Sequence, residues 1–115
     1  MTLQGSTVTV KELPQIMNEN QGSLFLRELE GCLNHSRPSI VLNCSKVSKL
    51  DTGLIYLLLR CLEETMKRNG DLKLASVPQE AMAELKLNGV SRLFETFAGN
   101  AEAIDSFHQF SLDAG

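Results

Sequence analysis

The chain is poor in aromatic residues, with no tryptophan, one tyrosine and five phenylalanines among 115 residues. Surfaces that stack sugar rings or nucleobases depend on exposed aromatic side chains. The composition therefore argues against a role in binding carbohydrates or single-stranded nucleic acids. It also predicts a core that is built from leucine, valine and isoleucine.

A strong charge of either sign is also missing, because 11 Lys+Arg and 14 Asp+Glu leave a net charge of −3. Clustered lysines and arginines are needed to bind a nucleic-acid backbone, so we expect no nucleic-acid partner. The three cysteines, Cys32, Cys44 and Cys61, form no Cys-x-x-Cys pair. We interpret them as small buried residues in a reducing compartment. No metal site or cofactor motif is recognised.

Long apolar runs are absent as well. The longest one, residues 53–59, is far shorter than the roughly 20 residues that cross a bilayer. The first residues show no basic segment followed by an apolar one, so no signal peptide is expected. We expect a cytoplasmic protein that does not insert into membranes. Its length suits a single domain over residues 1–115, with a core of about residues 7–110.

The chain does contain a regular alternation of strand and helix patterns. Val8 and Val10 alternate with polar residues, as in a half-buried strand that pairs antiparallel or at an edge. The other predicted strands cover residues 39–44, 72–77 and 93–97. The first two predicted helices cover residues 23–34 and 53–68. The third begins within residues 76–79 and ends at 88, and the fourth begins at Asn100. This order predicts an α/β fold with a central, mostly parallel sheet of four to five strands and about four helices.

The loop before the second helix is the strongest site candidate, since sites in such sheets gather where strand carboxyl ends meet helix amino ends. Asp51-Thr52-Gly53 stands at this junction. Either Asp51 or Thr52 is a suitable helix cap. A phosphate on Thr52 would also suit the place, because first-turn amides lack intrahelical acceptors and carry partial positive charge. Such a dianion would repel a partner that covers the loop, so a plain cap and a binding switch both stay open.

The stretch from Arg37 to Phe97 resembles a STAS domain, the fold of bacterial anti-sigma-factor antagonists. The central motif of that family is an apolar strand, a loop ending in aspartate, hydroxyl residues and glycine, and a leucine-rich helix. This chain has IVLNCSKVSKLDTGL at residues 40–54. A second family signature is matched by MAELKLNGVSRLF at residues 82–94. The resemblance implies a STAS-like fold and a binding module, not an enzyme.

In the family, the hydroxyl residue before the glycine is phosphorylated by a partner that is both anti-sigma factor and serine/threonine kinase. The unphosphorylated form binds this partner and releases the sigma factor, and a PP2C-type phosphatase removes the phosphate. The resemblance places the acceptor at Thr52, next to the permanent carboxylate of Asp51, which either mimics part of a phosphate or discourages phosphorylation. The expected partner-binding residues are Ser48, Lys49, Leu50, Asp51, Thr52, Gly53, Leu54 and Tyr56.

Two alternatives stay open. STAS domains also serve as subunits or scaffolds of lipid-transport and stress-signalling complexes, where the Thr52 loop would be an interaction surface without sigma regulation. Asp-Thr-Gly also resembles the motif of retroviral-type aspartic proteases, which would make Asp51 catalytic. The helical pattern after Gly53 argues against this, because that protease fold is nearly all β. The sequence does not identify the sigma factor or the oligomeric state, and a homodimer is compatible with it.

Overall fold

In a computed structural model of the chain, four strands form one sheet between helices. The structure describes residues 8–15, 19–33, 37–48 and 50–114, and the side chains within these ranges apart from Glu19 and residues 109–114. The elements are β1 (Val8–Glu12), α1 (Glu19–Cys32), β2 (Ser39–Asn43), α2 (Thr52–Lys67), β3 (Asp71–Ala75), α3 (Gln79–Leu87), β4 (Glu95–Phe97) and α4 (Asn100–Ala114). A short 3-10 helix, Ser91–Leu93, precedes β4.

The sheet has the strand order β1-β2-β3-β4, and every neighbouring pair is parallel. The predicted parallel α/β architecture is therefore confirmed. β1 lies at an edge and pairs parallel to β2, with Val10 opposite Val41. Because all strands run the same way, their carboxyl ends form one edge of the sheet, which also holds the start of α2. Their amino ends form the opposite edge.

The two faces of the sheet are covered differently. On one face, alternate residues of β2 and β3 pack against α1, α2 and α3 in a large aliphatic core. These strand residues are Ile40, Leu42, Leu72 and Leu74. On the other face, a small apolar cluster of Val41, Ala75 and Ala103 joins the sheet to α4. One face thus supplies most of the apolar burial, while the other leaves room for polar side chains.

Several element boundaries differ from the sequence-based predictions: α1 ends at Cys32 and β3 at Ala75, two residues early in each case, and two elements begin elsewhere. α1 begins at Glu19 and not at Ser23, because its polar first turn lies outside the apolar stripe from which the helix was predicted. β4 begins at Glu95 and not at Leu93. There Leu93 N donates to Val90 O at 3.0 Å and Phe94 N to Ser91 O at 3.2 Å. These local bonds form the 3-10 turn in place of sheet pairing.

The described part of the chain contains no helix long and apolar enough to cross a membrane. In the same part, no three His, Cys, Asp or Glu side chains approach closely enough to hold a metal ion. Cys44 and Cys61 are buried, as expected, and burial raises the pKa of both thiols to about 12. Both are therefore protonated and unreactive at neutral pH. Cys32 is only half-buried.

Candidate functional site

Thr52 is the first residue of α2, and its side chain is exposed. Asp51 precedes it as the helix N-cap in an extended conformation, with φ −83° and ψ 178°. The Oδ1 atom of Asp51 accepts a hydrogen bond from the backbone N–H of Leu54 at 2.9 Å. Asp51 is therefore the cap, and the Thr52 hydroxyl is not used for this purpose.

The start of α2 has capacity for an additional anion. First-turn N–H groups have no intrahelical acceptor, and the carboxylate of Asp51 satisfies that of Leu54. The first turn itself contains no acidic residue. A phosphate on Thr52 would meet the partial positive charge of the helix end. The arrangement accommodates such a group without removing the Asp51 cap.

Gly53 is exposed and has no structural need to be glycine. A Cβ atom at this position would lie 3.6 Å from Oδ1 of Asp51, which is an ordinary contact. Its backbone is not in the left-handed region, since Gly89 is the glycine with a positive φ among the described residues. Neither packing nor backbone conformation therefore explains the glycine. The missing side chain leaves the surface beside Thr52 without a Cβ atom at this position.

Apolar side chains anchor the loop before α2 in the hydrophobic core. Val47 and Leu50 are buried, and Leu54 follows them into the core from the first turn of the helix. The exposed fractions of Leu50 and Leu54 are 3 % and 4 %. Both residues were expected to contact a partner, but their side chains offer almost no exposed surface for such a contact. They fix the position of the loop instead.

The other expected contact residues lie on the surface, apart from Lys49, which is outside the described residues. Ser48, Asp51, Thr52 and Gly53 are exposed, and the exposed fraction of Tyr56 is 61 %. Thr52 and Tyr56 are four residues apart on α2 and therefore lie on the same side of the helix. We call Ser48, Asp51, Thr52, Gly53 and Tyr56 the acceptor surface.

Asn43, the last residue of β2, supports the loop and was missed by the sequence reasoning. Its Oδ1 accepts hydrogen bonds from the backbone N–H and the hydroxyl of Ser45, at 3.0 and 2.6 Å. Its Nδ2 donates to Oδ1 of Asn100 at 2.8 Å. The buried amide thus ties the loop to the start of α4. The sequence signal that could have identified Asn43 is its place as a single polar residue at the end of an apolar strand.

The second half of α2 is charged, unlike its start. A hydrogen bond with Tyr56 raises the pKa of the Arg60 guanidinium. Glu64 accepts hydrogen bonds from Arg68 and Lys67, each at 3.2 Å, and these bonds lower the pKa of its carboxyl group. The charges on this part of the helix are therefore paired with one another. The acceptor surface itself carries one charge, that of Asp51.

A family model, the STAS domain, matches residues 11–103. The chain belongs to the STAS domain family. No curated protein gives a significant match. The family match and the parallel α/β sheet contradict the hypothesis of a retroviral-type protease. The fold of such proteases is nearly all β, and Asp51 here caps a helix. As a STAS domain, the chain belongs to a family of binding modules.

Three solved structures share the fold. An anti-sigma-factor antagonist (STAS) domain protein of Planctomyces limnophilus has a TM-score of 0.78 and 17 % identity, over 90 % of this chain and 92 % of its own. A Thermotoga maritima protein assigned as an anti-sigma factor antagonist has a TM-score of 0.72 and 19 % identity, over 89 % and 92 %. The STAS domain of a SulP transporter from Vibrio cholerae has a TM-score of 0.74 and 15 % identity, over 99 % and 89 %. At such identities these likenesses establish the fold.

Proposed function

We propose that this STAS domain is an anti-sigma-factor antagonist that is controlled by phosphorylation of Thr52. Its partner is an anti-sigma factor with serine/threonine kinase activity, and binding of that partner releases a sigma factor. The observation that carries the proposal is the exposed Thr52 beside Gly53, a glycine that the fold does not require. Two of the fold neighbours support it, since both are described as antagonists of this kind.

Phosphorylation is expected to change the surface and leave the fold intact. The γ-phosphoryl group of ATP passes to the Thr52 hydroxyl oxygen, the hydroxyl proton passes to the kinase, and ADP leaves. The product carries nearly two negative charges beside Asp51. A partner that covers the acceptor surface then meets charge repulsion and a desolvation cost, which together lower its affinity about a hundredfold. Hydrolysis by a PP2C-type phosphatase restores the hydroxyl and releases inorganic phosphate.

The test uses the anti-sigma kinase that is encoded nearest to this gene. The protein is incubated with that kinase and ATP, and the site of any added phosphate is identified by mass spectrometry. We expect one phosphate on Thr52 and none on the Thr52→Ala variant. Thr96→Ala, which changes another exposed threonine, should be phosphorylated like the parent protein. An unmodified Thr52 would disprove the switch.

The alternative of a transporter or scaffold subunit is favoured by one observation, the likeness of the SulP transporter STAS domain over 99 % of this chain. In that case the acceptor surface would bind its partner without phosphate control. The Thr52→Glu variant separates the two functions, since it should strongly weaken the binding of an anti-sigma kinase. For a transporter or scaffold subunit, no phosphate would appear on Thr52 in the kinase assay.

A further inference from the structure

A groove of about 640 Å³ lies at the amino edge of the sheet, opposite the acceptor surface. Its volume is within the range of small-molecule sites, roughly 300–1,000 Å³. The starts of β2, β3 and β4 line it, and α4 forms a side wall. Strands rise about 3.3 Å per residue, so the five-residue β2 separates the two sites by roughly 16 Å. We call it the amino-edge groove, lined among others by Arg37, Asn69, Lys73, Phe97 and Phe107.

One wall of the groove is built by a close approach of two backbone segments. A Cβ atom on Gly70 would lie 2.3 Å from the carbonyl oxygen of Pro38, so only glycine fits. Asp71 N donates to Pro38 O at 2.9 Å, and Arg37 N donates to Arg68 O at 2.9 Å. Arg37 has a φ of 57°, a conformation that is unfavourable for a large side chain. The close packing of the two segments therefore holds the backbone of Arg37 at the rim of the groove.

Lys73 places a nearly buried ammonium group in the groove, with 8 % of its side chain exposed. Its Nζ donates to the Ser106 hydroxyl at 2.7 Å and lies 4.2 Å from the centre of the Phe107 ring. Buried lysines are rare unless they are paired. Its carboxylate partner within the described residues is Glu95, at 3.3 Å, whose side chain is 66 % exposed. Because the Glu95 carboxylate is largely open to water, this ion pair is weak. Another anion can therefore replace Glu95 next to Lys73.

Two cationic and two acidic side chains line the groove: Arg37, Lys73, Asp71 and Glu95. The exposed Arg37 side chain forms no ion pair with the described part of the chain. The carboxylate of Asp71 is partly satisfied, because its Oδ1 accepts the N–H of Leu72 at 2.9 Å. Glu95 is engaged by Lys73. Within the described residues, neither Arg37 at the rim nor Asp71 forms an ion pair, and the half-buried Phe97 and Phe107 add an apolar wall.

We propose that the amino-edge groove binds a small organic anion, a carboxylate or phosphate attached to an apolar ring or short chain. Arg37 pairs with the acid group, which also replaces Glu95 next to Lys73. The apolar part lies against Phe97 and Phe107. Since Phe107 belongs to α4 and Lys73 to the sheet, the bound ligand holds α4 against the sheet. It leaves Thr52 accessible at the other edge.

The proposal is tested by titrating the isotope-labelled protein with benzoate and phenyl phosphate and following backbone amide signals. We expect saturable shifts at the groove residues. Benzyl alcohol, which lacks the charge, and inorganic phosphate, which lacks the ring, should bind at least about tenfold more weakly. Absence of saturation up to about 10 mM, or equal binding of benzyl alcohol, would overturn the proposal. Equal binding of inorganic phosphate would reduce the groove to an adventitious ion site only.

Charge variants make the test sharper. Arg37→Gln should weaken benzoate binding about tenfold, whereas Arg92→Gln, at an exposed arginine outside the groove, should leave it unchanged. Glu95→Gln should strengthen binding several-fold, because it removes the carboxylate that competes for Lys73. A merely structural Lys73–Glu95 pair predicts no such gain. Equal effects of the two arginine variants, or no gain in Glu95→Gln, would contradict the proposal, and neither result depends on the fate of Thr52.

Discussion

The two ends of α2 are built in opposite ways. At its start, Asp51 caps the helix through one hydrogen bond, and a Cβ atom on Gly53 would make only an ordinary contact. At its end, Asn69 takes the left-handed conformation with φ 60°, and Gly70 is pressed against Pro38. Both ends carry a glycine, but only the second glycine is required by packing. The tight end, at Gly70, contributes to the fold and to the wall of the groove, while the open end, at Thr52, is where we propose that a partner binds.

The acceptor surface and the amino-edge groove also differ in how each would accommodate an anion. The acceptor surface offers backbone N–H groups and space, which is sufficient for a phosphate that is covalently attached to Thr52. The amino-edge groove offers side-chain cations and an apolar wall, which a freely diffusing ligand needs for binding. A covalent group requires no preformed enclosure, because its position is set by the bond. The difference between the two ends of α2 therefore matches the proposed difference in what they bind.

The largest expected effect is on stability at the tight end. Gly70→Ala should lower the free energy of unfolding by about 3 kcal/mol or more, because its methyl group overlaps the Pro38 carbonyl. Gly53→Ala is the matched control and should raise the free energy of unfolding by up to about 1 kcal/mol, since alanine favours the helix. Urea denaturation of both variants measures the difference. Similar losses in the two variants would remove the contrast between the ends.

A smaller effect is expected from the cap at the open end. Asp51→Ala should lower the free energy of unfolding by about 1 kcal/mol, because the Leu54 N–H loses its acceptor. Asp105→Ala, at an exposed position inside α4, should have almost no effect. The same denaturation measurement applies. If the two aspartate variants behave alike, Asp51 does not act as a cap in solution.

The smallest expected effect concerns pH and the charged second half of α2. The pKa of Glu64 is lowered from 4.5 by hydrogen bonds from Arg68 and Lys67. Its contribution is therefore fully present above about pH 4.5 and is lost as the pH falls through the lowered folded-state pKa. Glu64→Gln should cost under about 1 kcal/mol at pH 6 and nothing at low pH. Denaturation curves from pH 6 to pH 3 test this, with Glu63→Gln as control, and a pH-independent difference would contradict it.

The sequence predicted the parallel α/β order well, for physical reasons. Periodic apolar residues mark α2 over most of its length, and Asp51-Thr52-Gly53 stands where a strand–helix junction forms. The start of α1 was misplaced, because an exposed first turn has no apolar pattern. The start of β4 was misplaced, because Leu93 turns outward in a 3-10 helix with 51 % of its side chain exposed.

The details of the site depended on contacts that no single pattern encodes. Leu50 and Leu54 were expected to contact a partner, since a motif does not reveal which of its residues point into the core. Asn43 was overlooked, because its partner Asn100 lies 57 residues away. In the sequence, Lys73 cannot be distinguished from a surface lysine. Its burial results from the pairing of its strand on both sides. Each of these features arises from tertiary packing.

The central claim is that a phosphate on Thr52 controls partner binding at the open end of α2. The most direct measurement is isothermal titration of one anti-sigma kinase with two forms of the protein, unmodified and phosphorylated on Thr52. The proposal predicts that phosphorylation weakens binding about a hundredfold, while the urea denaturation midpoint changes little. Equal affinities of the two forms would contradict it.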